Sequence, residues 1–346
     1  MGSVRRLRSV SSLRDVARLA GVSLPTASQA LNGRARISSA TRKRVRDAAR
    51  RLRYTPHAAA RHLSLGRSNS VAIVPGLNMT GIFSDLFYRA VLAGAGSVFE
   101  EVGCRMLIAP PLRPSSRRPP FVEMAQAREV DGILIAGVVE ARWVRGALEA
   151  GIPVVILDDV LPDVAAPAVV NDNAAGAYAA TRHLASLGHR RIGFVGAAVD
   201  YPFGRETHDG YAAALRDTGL ACDRALERAV PIDAGAVFRR AEELLAMPDR
   251  PTAVFAVTDM LALGVIRAAG ASGFRIPADL SVVGMDDIDL AATTDPPLTT
   301  VRVRKDVMGT AAARILLDRV AGNRTAPALT VIPNELVIRA TTGGPP

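Results

Sequence analysis

The chain has 346 residues, of which 49% are apolar, and it carries a formal net charge of +10. No stretch reaches the roughly 18 unbroken apolar residues that span a bilayer, and the basic N-terminus lacks the apolar core of a secretory signal, so we expect a cytoplasmic protein without membrane contact. Its two cysteines and five histidines show no ligand spacing, and no phosphate-binding or dinucleotide-binding loop occurs. We therefore expect no metal, no cofactor and no enzymatic activity.

Positive charge is concentrated at the N-terminal end of the chain. Residues 1–67 contain 16 Lys or Arg against the two acids Asp15 and Asp47, a net charge of +14, whereas residues 68–346 contain 27 against 31, a net charge of −4. A solvated protein surface explains scattered charge but not this segregation. A basic patch confined to one small segment is typical of contacts with nucleic-acid phosphates.

Residues 14–33 predict a helix-turn-helix. Ser12 and Asp15 have the spacing of a capping box, Gly21 ends the first helix, and Ser23 begins a second one. In such a pair the second helix enters the major groove and its outward residues contact base edges. The residues predicted to pack the two helices together are Val16, Leu19, Ala20, Ala27, Ala30 and Leu31. The residues predicted to face outward are Leu24, Pro25, Thr26, Ser28 and Gln29.

A third helix is predicted over residues 39–52. It carries a basic surface over an apolar stripe that includes Val45 and Ala48. The first two helices alone would also suit an ordinary helical hairpin in a protein core. The basic third helix favours a three-helix DNA-binding domain instead.

Residues 13–65 resemble the DNA-binding headpiece of the LacI/GalR (lactose-repressor) family of bacterial transcription regulators. The resemblance is carried by Ala20-Gly21-Val22-Ser23, Ala30-Leu31-Asn32-Gly33, Thr41-Arg42 and Tyr54-Thr55-Pro56. One departure concerns the recognition helix, where the family usually has Val-Ser-Arg and this chain has Ala27-Ser28-Gln29. Because Gln pairs with adenine whereas Arg favours guanine, the operator sequence cannot be carried over from relatives.

The resemblance also implies a hinge helix over residues 56–64. In this helix Leu63 matches the leucine that wedges between base pairs in the minor groove, and Ala60 matches the small residue at the helix contact. A plain linker is the alternative. The complete set of expected DNA-binding residues is Arg14, Leu24, Pro25, Thr26, Ser28, Gln29, Asn32, Arg36, Tyr54, His57, Ala60, Arg61 and Leu63.

From Val71 onward, apolar runs of strand length alternate with helical patterns. This alternation predicts buried parallel strands joined by helices, arranged as two doubly wound lobes. A ligand is expected at the carboxyl ends of the strands, in the cleft between the lobes. The predicted strands are 71–74, 105–109, 132–136, 154–157, 192–195, about 229–231, 253–257 and 281–284.

This part of the chain resembles the effector-binding core of the same family, which shares its fold with periplasmic sugar-binding proteins. The resemblance is carried by residues 130–133, 151–155, 183–192, 276–284, 286–287 and 296–301. The expected fold class is thus an all-α helix-turn-helix headpiece followed by an α/β core of two doubly wound parallel-sheet lobes. The expected domains are a headpiece (1–55), a hinge helix and linker (56–69), a first lobe (70–167 with 299–325) and a second lobe (168–298 with 326–346). The resemblance also implies a strand over residues 329–339 in the second lobe.

The resemblance places effector contacts on Asp158, Thr207, Thr258 and Asp286. Relatives usually have Arg where Thr207 stands and Asn or Asp where Thr258 stands, so Arg205 is a candidate for the missing arginine. Strand-end carboxylates suit a polyol because each oxygen accepts from a hydroxyl. Two aromatic residues are candidates for stacking on a sugar face, with core packing as the alternative: Phe83 and Phe87. The neighbouring pairs Asp158-Asp159 and Asp286-Asp287 do not suit a glycosidase, because adjacent side chains of an extended chain point oppositely.

The resemblance implies a sequence-specific transcription regulator, a repressor, that binds a pseudo-palindromic operator in double-stranded DNA. It is expected to act as a homodimer, and a small-molecule effector between the lobes, a sugar or sugar derivative, is expected to modulate its operator affinity. A nucleoside or purine effector, or a co-repressor, is the alternative within the same architecture. An architectural DNA-binding protein without an effector is the more distant alternative.

Overall fold

The computed structural model describes residues 12–31, 37–54, 67–76, 85–110, 119–196, 202–230 and 234–346. Its internal contacts divide the chain into two units, residues 1–69 with 127–131 and residues 70–126 with 132–346. Nowhere in these ranges does a helix have the length and apolar character needed to cross a bilayer.

The described residues of the first unit form three helices, α1 (Leu13–Ala20), α2 (Leu24–Leu31) and α3 (Ser39–Arg51). The predicted capping box is confirmed, since the Ser12 N–H donates to Asp15 Oδ2 (2.9 Å) and the Asp15 N–H donates to Ser12 Oγ (3.3 Å). Gly21 ends α1 in the left-handed region, with φ of 62°. The helix-turn-helix thus begins and turns where the sequence predicts.

Small residues fill the core of this unit, which lets the three helices pack closely. The buried residues are Val16, Ala17, Ala20, Ala27, Ala30, Val45, Ala48 and Ala49. The prediction that Leu19 packs inward is wrong, because 46% of it is exposed. Successive helical residues turn by roughly 100°, so a stripe through Val16, Ala17 and Ala20 leaves Leu19 to one side.

In the second unit, the part of the chain that the structure describes forms two six-stranded sheets. The strands of the first sheet are β1 (Ser70–Pro75), β2 (Arg105–Ile108), β3 (Gly132–Ala136), β4 (Val154–Leu157), β5 (Ala168–Asn171) and β11 (Leu329–Ile332). The order is β11-β5-β4-β3-β1-β2, and all pairs are parallel. The helices between the strands are α4 (Leu86–Glu101), α5 (Pro120–Gln126) and α6 (Ala141–Glu149).

The second sheet has the same plan with one antiparallel strand at its edge. Its strands are β6 (Ile192–Gly196), β7 (Glu227–Ala229), β8 (Ala253–Ala256), β9 (Ser281–Asp286), β10 (Thr299–Arg302) and β12 (Glu335–Val337). The order is β12-β10-β9-β8-β6-β7, with β12 antiparallel to β10. The remaining helices are α7 (Asn173–Ser186), α8 (Pro202–Asp217), α9 (Ala234–Leu245), α10 (Asp259–Ala271) and α11 (Lys305–Val320).

Three strand assignments differ from the predicted lobes. Strand β10 pairs with β9, so residues 299–302 belong to the second lobe, although α11 after them packs on α4 of the first lobe as expected. Strands β5 and β11 pair with each other in the first sheet, whereas the expected domain bounds placed residues 168–171 and 329–332 in the second lobe. The predicted strand over residues 329–339 is in fact two strands. Pro333, which has no N–H for a sheet ladder, lies between them.

These corrections define three places where the chain passes between the lobes. They lie between β5 and α7, between β10 and α11, and between β11 and β12. Because the lobes meet at these crossovers, the carboxyl ends of β4 and β9 come to the same cleft.

Candidate functional site

The outward face of α2 presents the residues predicted to contact base edges. Leu24 is 40% exposed, Pro25 and Gln29 are exposed, and Thr26 and Ser28 are partly buried. The Thr26 N–H donates to Ser23 Oγ (3.3 Å), which begins the helix as an N-cap does. The first turn of α2 therefore offers short polar and apolar side chains at the surface.

Two other residues predicted to contact DNA lie outside α2. Arg14 is exposed on α1, and Tyr54 packs against the small-residue core. The predicted residues that lie outside the described ones are Asn32, Arg36, His57, Ala60, Arg61 and Leu63. Exposed cations on α3 include Lys43, Arg44 and Arg46.

In the second unit, a cavity of about 300 Å³ lies between the loop after β4 and the start of α8. We call it the cleft cavity. Its lining residues are Asp158, Asp159, Val160, Pro162, Val170, Asn173, Pro202, Phe203, Arg205 and Glu206. Both lobes contribute polar groups, because β4 belongs to the first sheet and α8 packs in the second lobe. Such a volume, with a few convergent polar groups, suits a small ligand.

Asp158 has an unusual environment for a carboxyl group. It follows β4 in the left-handed region (φ of 65°), and its Oδ2 accepts a hydrogen bond from the Tyr88 hydroxyl (2.7 Å). Burial raises the pKa of Asp158 to about 7, the charges of Glu206 and Asp159 raise it as well, and the hydrogen bond from Tyr88 lowers it. Near neutral pH this carboxyl can therefore both donate and accept hydrogen bonds.

The other two acids of the cleft cavity are held by different groups. Asp159 accepts hydrogen bonds from the backbone N–H groups of Val160 (2.8 Å) and Val139 (3.3 Å), and burial raises its pKa. Glu206 Oε2 accepts from Asn173 Nδ2 (2.8 Å). The acids thus face the cavity from both lobes, with Arg205 as the cation in the same lining.

A second cluster of polar side chains surrounds the end of β9. Asp259 accepts from the Thr300 hydroxyl (2.5 Å) and the Ile288 N–H (2.8 Å), and burial raises its pKa to about 6. The Lys305 ammonium donates to the Asp286 carbonyl oxygen. Burial and the charge of Asp259 raise the pKa of Asp286, and Lys305 lowers it.

Another cavity, of about 360 Å³, lies beside this cluster of polar side chains. Its lining residues are Leu86, Arg89, Ala90, Ala93, Asp287, Ile288, Asp289, Leu290 and Lys305. It does not include the residues predicted to bind an effector.

The structure brings together only part of the predicted effector site. Asp158 and Arg205 both line the cleft cavity. Thr207 is fully buried and its hydroxyl donates to the Phe203 carbonyl (2.8 Å), and Thr258 caps α10 by accepting from the Leu261 N–H (3.2 Å). The other three predicted residues have separate positions: Phe87 packs edge-to-face on Tyr88, Asp286 ends β9, and Phe83 lies outside the described residues.

Sequence reasoning did not single out Tyr88, Asn173 or Glu206. Tyr88 and Glu206 are each next to a residue that was singled out, Phe87 and Arg205. Asn173 follows β5, a strand that was not predicted. For Tyr88 and Glu206, the sequence offered one signal, which was adjacency to a residue already singled out. To choose between two adjacent residues of a helix, one must know which of them faces the cavity.

A helix-turn-helix unit followed by two doubly wound lobes with a polar cleft cavity defines the class of ligand-regulated DNA-binding proteins. Residues 12–57 match the family model described as bacterial regulatory proteins, lacI family, and residues 181–342 match the periplasmic binding protein-like domain. The chain belongs to the LacI family of bacterial transcription regulators. The predicted family and fold class are thereby confirmed.

Full-length relatives agree with this assignment. The chain is 34% identical to the HTH-type transcriptional regulator CelR of Thermobifida fusca, over 95% of this chain and 97% of CelR. It is 30% identical to the HTH-type transcriptional repressor CytR of Escherichia coli K12, over 98% of both chains. These relatives are transcription regulators rather than enzymes.

Solved structures give the same result. The Lac repressor dimer bound to operator and the anti-inducer ONPF matches with a TM-score of 0.85 and 25% identity, over 96% of this chain and 99% of that chain. The complex of CelR with cellobiose matches with a TM-score of 0.71 and 32% identity, over 96% and 99%. The chain is therefore a sequence-specific DNA-binding regulator with the two-lobed core of this family.

Proposed function

We propose that this protein is a cytoplasmic repressor that binds a pseudo-palindromic operator as a homodimer and is controlled by a sugar or sugar derivative in the cleft cavity. The observation that carries the proposal is the cleft cavity itself. Asp158 and Asp159 from one lobe face Arg205 and Glu206 from the other across a volume of about 300 Å³.

The donors and acceptors of the cleft cavity suit a polyol. Asp158 can accept from one hydroxyl and, when protonated, donate to another, because its pKa lies at about 7. The carboxylates of Asp159 and Glu206 accept from hydroxyls, and Arg205 donates. Phe203 adds an apolar surface against which a sugar ring can pack.

A ligand held from both lobes favours their closed arrangement, since only that arrangement satisfies both sets of contacts. Effector and operator affinities are then linked reciprocally, by typically about 1–3 kcal/mol. In this proposal the sugar weakens operator binding and so relieves repression. It later dissociates from the protein chemically unchanged. The sugar class is supported by the relative CelR, whose solved complex contains cellobiose.

On the DNA side, we propose that the exposed face of α2 reads the operator. Gln29 replaces the arginine that the family usually has at this position, so we expect an adenine at the contacted base pair. The exposed cations of α3, Lys43 among them, suit phosphate contacts that fix the register of the headpiece on the duplex.

The test uses the purified full-length protein to select bound fragments from the source genome. A near-palindromic site is expected, and its affinity is then measured with cellobiose, ribose, cytidine and adenine at constant salt concentration. We expect a sugar to weaken binding by about 5- to 150-fold. A shift by cytidine or adenine alone would support the nucleoside or purine alternative instead.

Asp158→Ala tests whether the effector lies in the cleft cavity. This variant should lose the ligand response, because it removes both the acceptor and the donor of the carboxyl group. Asp163→Ala, at an exposed acid in the same loop, is the matched control and should keep the response. A full response in Asp158→Ala would place the effector elsewhere, and no response of the wild type to any ligand would favour an architectural DNA-binding protein.

A further inference from the structure

The first and third crossovers between the lobes are bonded to each other. The Asp172 N–H, between β5 and α7, donates to the Ile332 carbonyl at the end of β11 (3.1 Å). Asn334, between β11 and β12, donates from Nδ2 to the Asp172 carbonyl (2.8 Å). Any movement of one lobe against the other must bend the backbone at Asp172 and Asn334, because the chain passes between the sheets there.

Two buried asparagines flank Asp172 and connect it to the cleft cavity. Asn171 and Asn173 are only 4% and 5% exposed. Asn171 Nδ2 donates to Asn173 Oδ1 (2.8 Å), and Asn173 Nδ2 donates to Glu206 Oε2 (2.8 Å). The direction of both bonds follows from Glu206, since an ionised carboxylate can only accept and therefore requires the NH₂ group of Asn173.

Asn171 depends on this connection. Within the part of the chain that the structure describes, its Oδ1 has no hydrogen-bond partner. Among the described residues, the side-chain amide of Asn171 is thus held by its hydrogen bond to Asn173. Buried amides are normally satisfied on both sides, so this group is sensitive to any rearrangement of Asn173.

We infer that Asn173 is a positioning residue that couples Glu206, at the wall of the cleft cavity, to the crossover between the lobes. The inference rests on the proposed function, in which an effector occupies this cavity. A ligand hydroxyl or amino group that binds Glu206 changes the Glu206–Asn173 bond. Asn173 then passes this change to Asn171 at the end of β5, beside the backbone that bends when the lobes move.

The test is hydrogen–deuterium exchange of the ligand-free, full-length protein, followed in the peptide that contains Asp172. Glu206→Ala removes the acceptor of Asn173, and exchange at the crossover should become about 10- to 150-fold faster, as for the loss of one hydrogen bond to a charged group. Glu206→Gln keeps a carbonyl acceptor and should exchange at the wild-type rate. This rescue separates the hydrogen bond from the charge of Glu206.

Two further variants complete the experiment. Arg205→Ala, the neighbouring residue in the same lining, is the matched control and should leave the crossover unchanged. Asn173→Ala should reproduce Glu206→Ala, and the double variant should add nothing, because both changes break one connection. Wild-type exchange in Glu206→Ala, or equal acceleration in Arg205→Ala or in the buried strand β8, would overturn the inference. Since no ligand is added, this result does not depend on which compounds shift operator binding.

Discussion

Each lobe has two consecutive aspartates at the end of one of its strands, and the second-lobe pair, unlike the first, includes an aspartate bonded to arginines. Asp158 and Asp159 follow β4 in the first lobe, whereas Asp286 ends β9 and Asp287 follows it in the second. Asp158, Asp286 and Asp287 all have positive φ values, 65°, 123° and 54°. The backbone therefore turns sharply after both strands, so the same dipeptide directs carboxyl groups toward the cleft side of each sheet.

The neighbouring cations distinguish the two pairs. Asp287 accepts from Arg339 (2.5 Å) and Arg302 (2.7 Å); although burial raises its pKa, these hydrogen bonds and charges hold the pKa below its usual range. Asp158 has acids as its charged neighbours, and its pKa rises to about 7. We infer that the second-lobe pair contains a structural ion pair, whereas the first-lobe pair is left available for a ligand.

The largest effect is expected from Asp287→Ala. This variant leaves Arg339 and Arg302 without their common carboxylate, so the free energy of unfolding should fall by about 2–4 kcal/mol. The expected loss is smaller than for a fully buried pair because Arg302 is partly exposed. Urea unfolding of the full-length protein, followed by circular dichroism, measures this. Asp289→Ala, an exposed acid two residues later, should change stability little. A loss of less than about 0.5 kcal/mol, as for ordinary surface substitutions, would show that the ion pairs are not structural.

The pH dependence of Asp158→Asn should show the next largest effect. Because the folded-state pKa of Asp158 is raised to about 7, the folded protein holds this proton more tightly than the unfolded chain does. In the wild type, the contribution of the Asp158 carboxyl to the free energy of unfolding therefore falls as the pH rises from about 4 to 7. Relative to the wild type, Asp158→Asn should gain about 1–3 kcal/mol between pH 5 and pH 8.

Asp287→Asn provides the opposite comparison. The lowered pKa of Asp287 contributes stability above the unfolded-state pKa and loses it as the pH falls through the folded-state value. The stability difference between Asp287→Asn and the wild type should thus shrink in acid and stay constant from pH 5 to 8. If the difference for Asp158→Asn is also constant over that range, the two aspartate pairs are not electrostatically distinct.

The fold was predictable wherever an apolar run had clear ends. Strands β3 and β4 have the predicted bounds because Gly132 begins the first and Pro153 precedes the second. The residues of strands β5, β10 and β11 were predicted to lie in the wrong lobe. Periodicity shows that a four-residue strand is buried, but the partner of a parallel strand is distant in sequence and leaves no local pattern.

The same limit applies to the candidate site. Asp158 and Asp286 were predictable as strand-end carboxylates, and the two dipeptides look equivalent in sequence. What distinguishes them comes from elsewhere in the chain: the partners of Asp287 are 15 and 52 residues away, and Tyr88 is 70 residues from Asp158. A dipeptide predicts the position of a carboxyl group, whereas the tertiary fold determines its charge.

Two substitutions around Asp158 should move its pKa in opposite directions, each through an interaction of about 1 kcal/mol. Tyr88→Phe removes a hydrogen bond that stabilises the ionised carboxylate, so the pKa should rise above its value of about 7. Glu206→Gln removes a neighbouring negative charge, so the pKa should fall. Carboxyl ¹³C resonances of labelled aspartate, titrated in the ligand-free protein, measure both, and the Asp287 resonance serves as the internal control because neither variant touches its arginines. A shift in the same direction in both variants would mean that loosened packing, rather than the hydrogen bond and the facing carboxylate, sets the ionisation of Asp158.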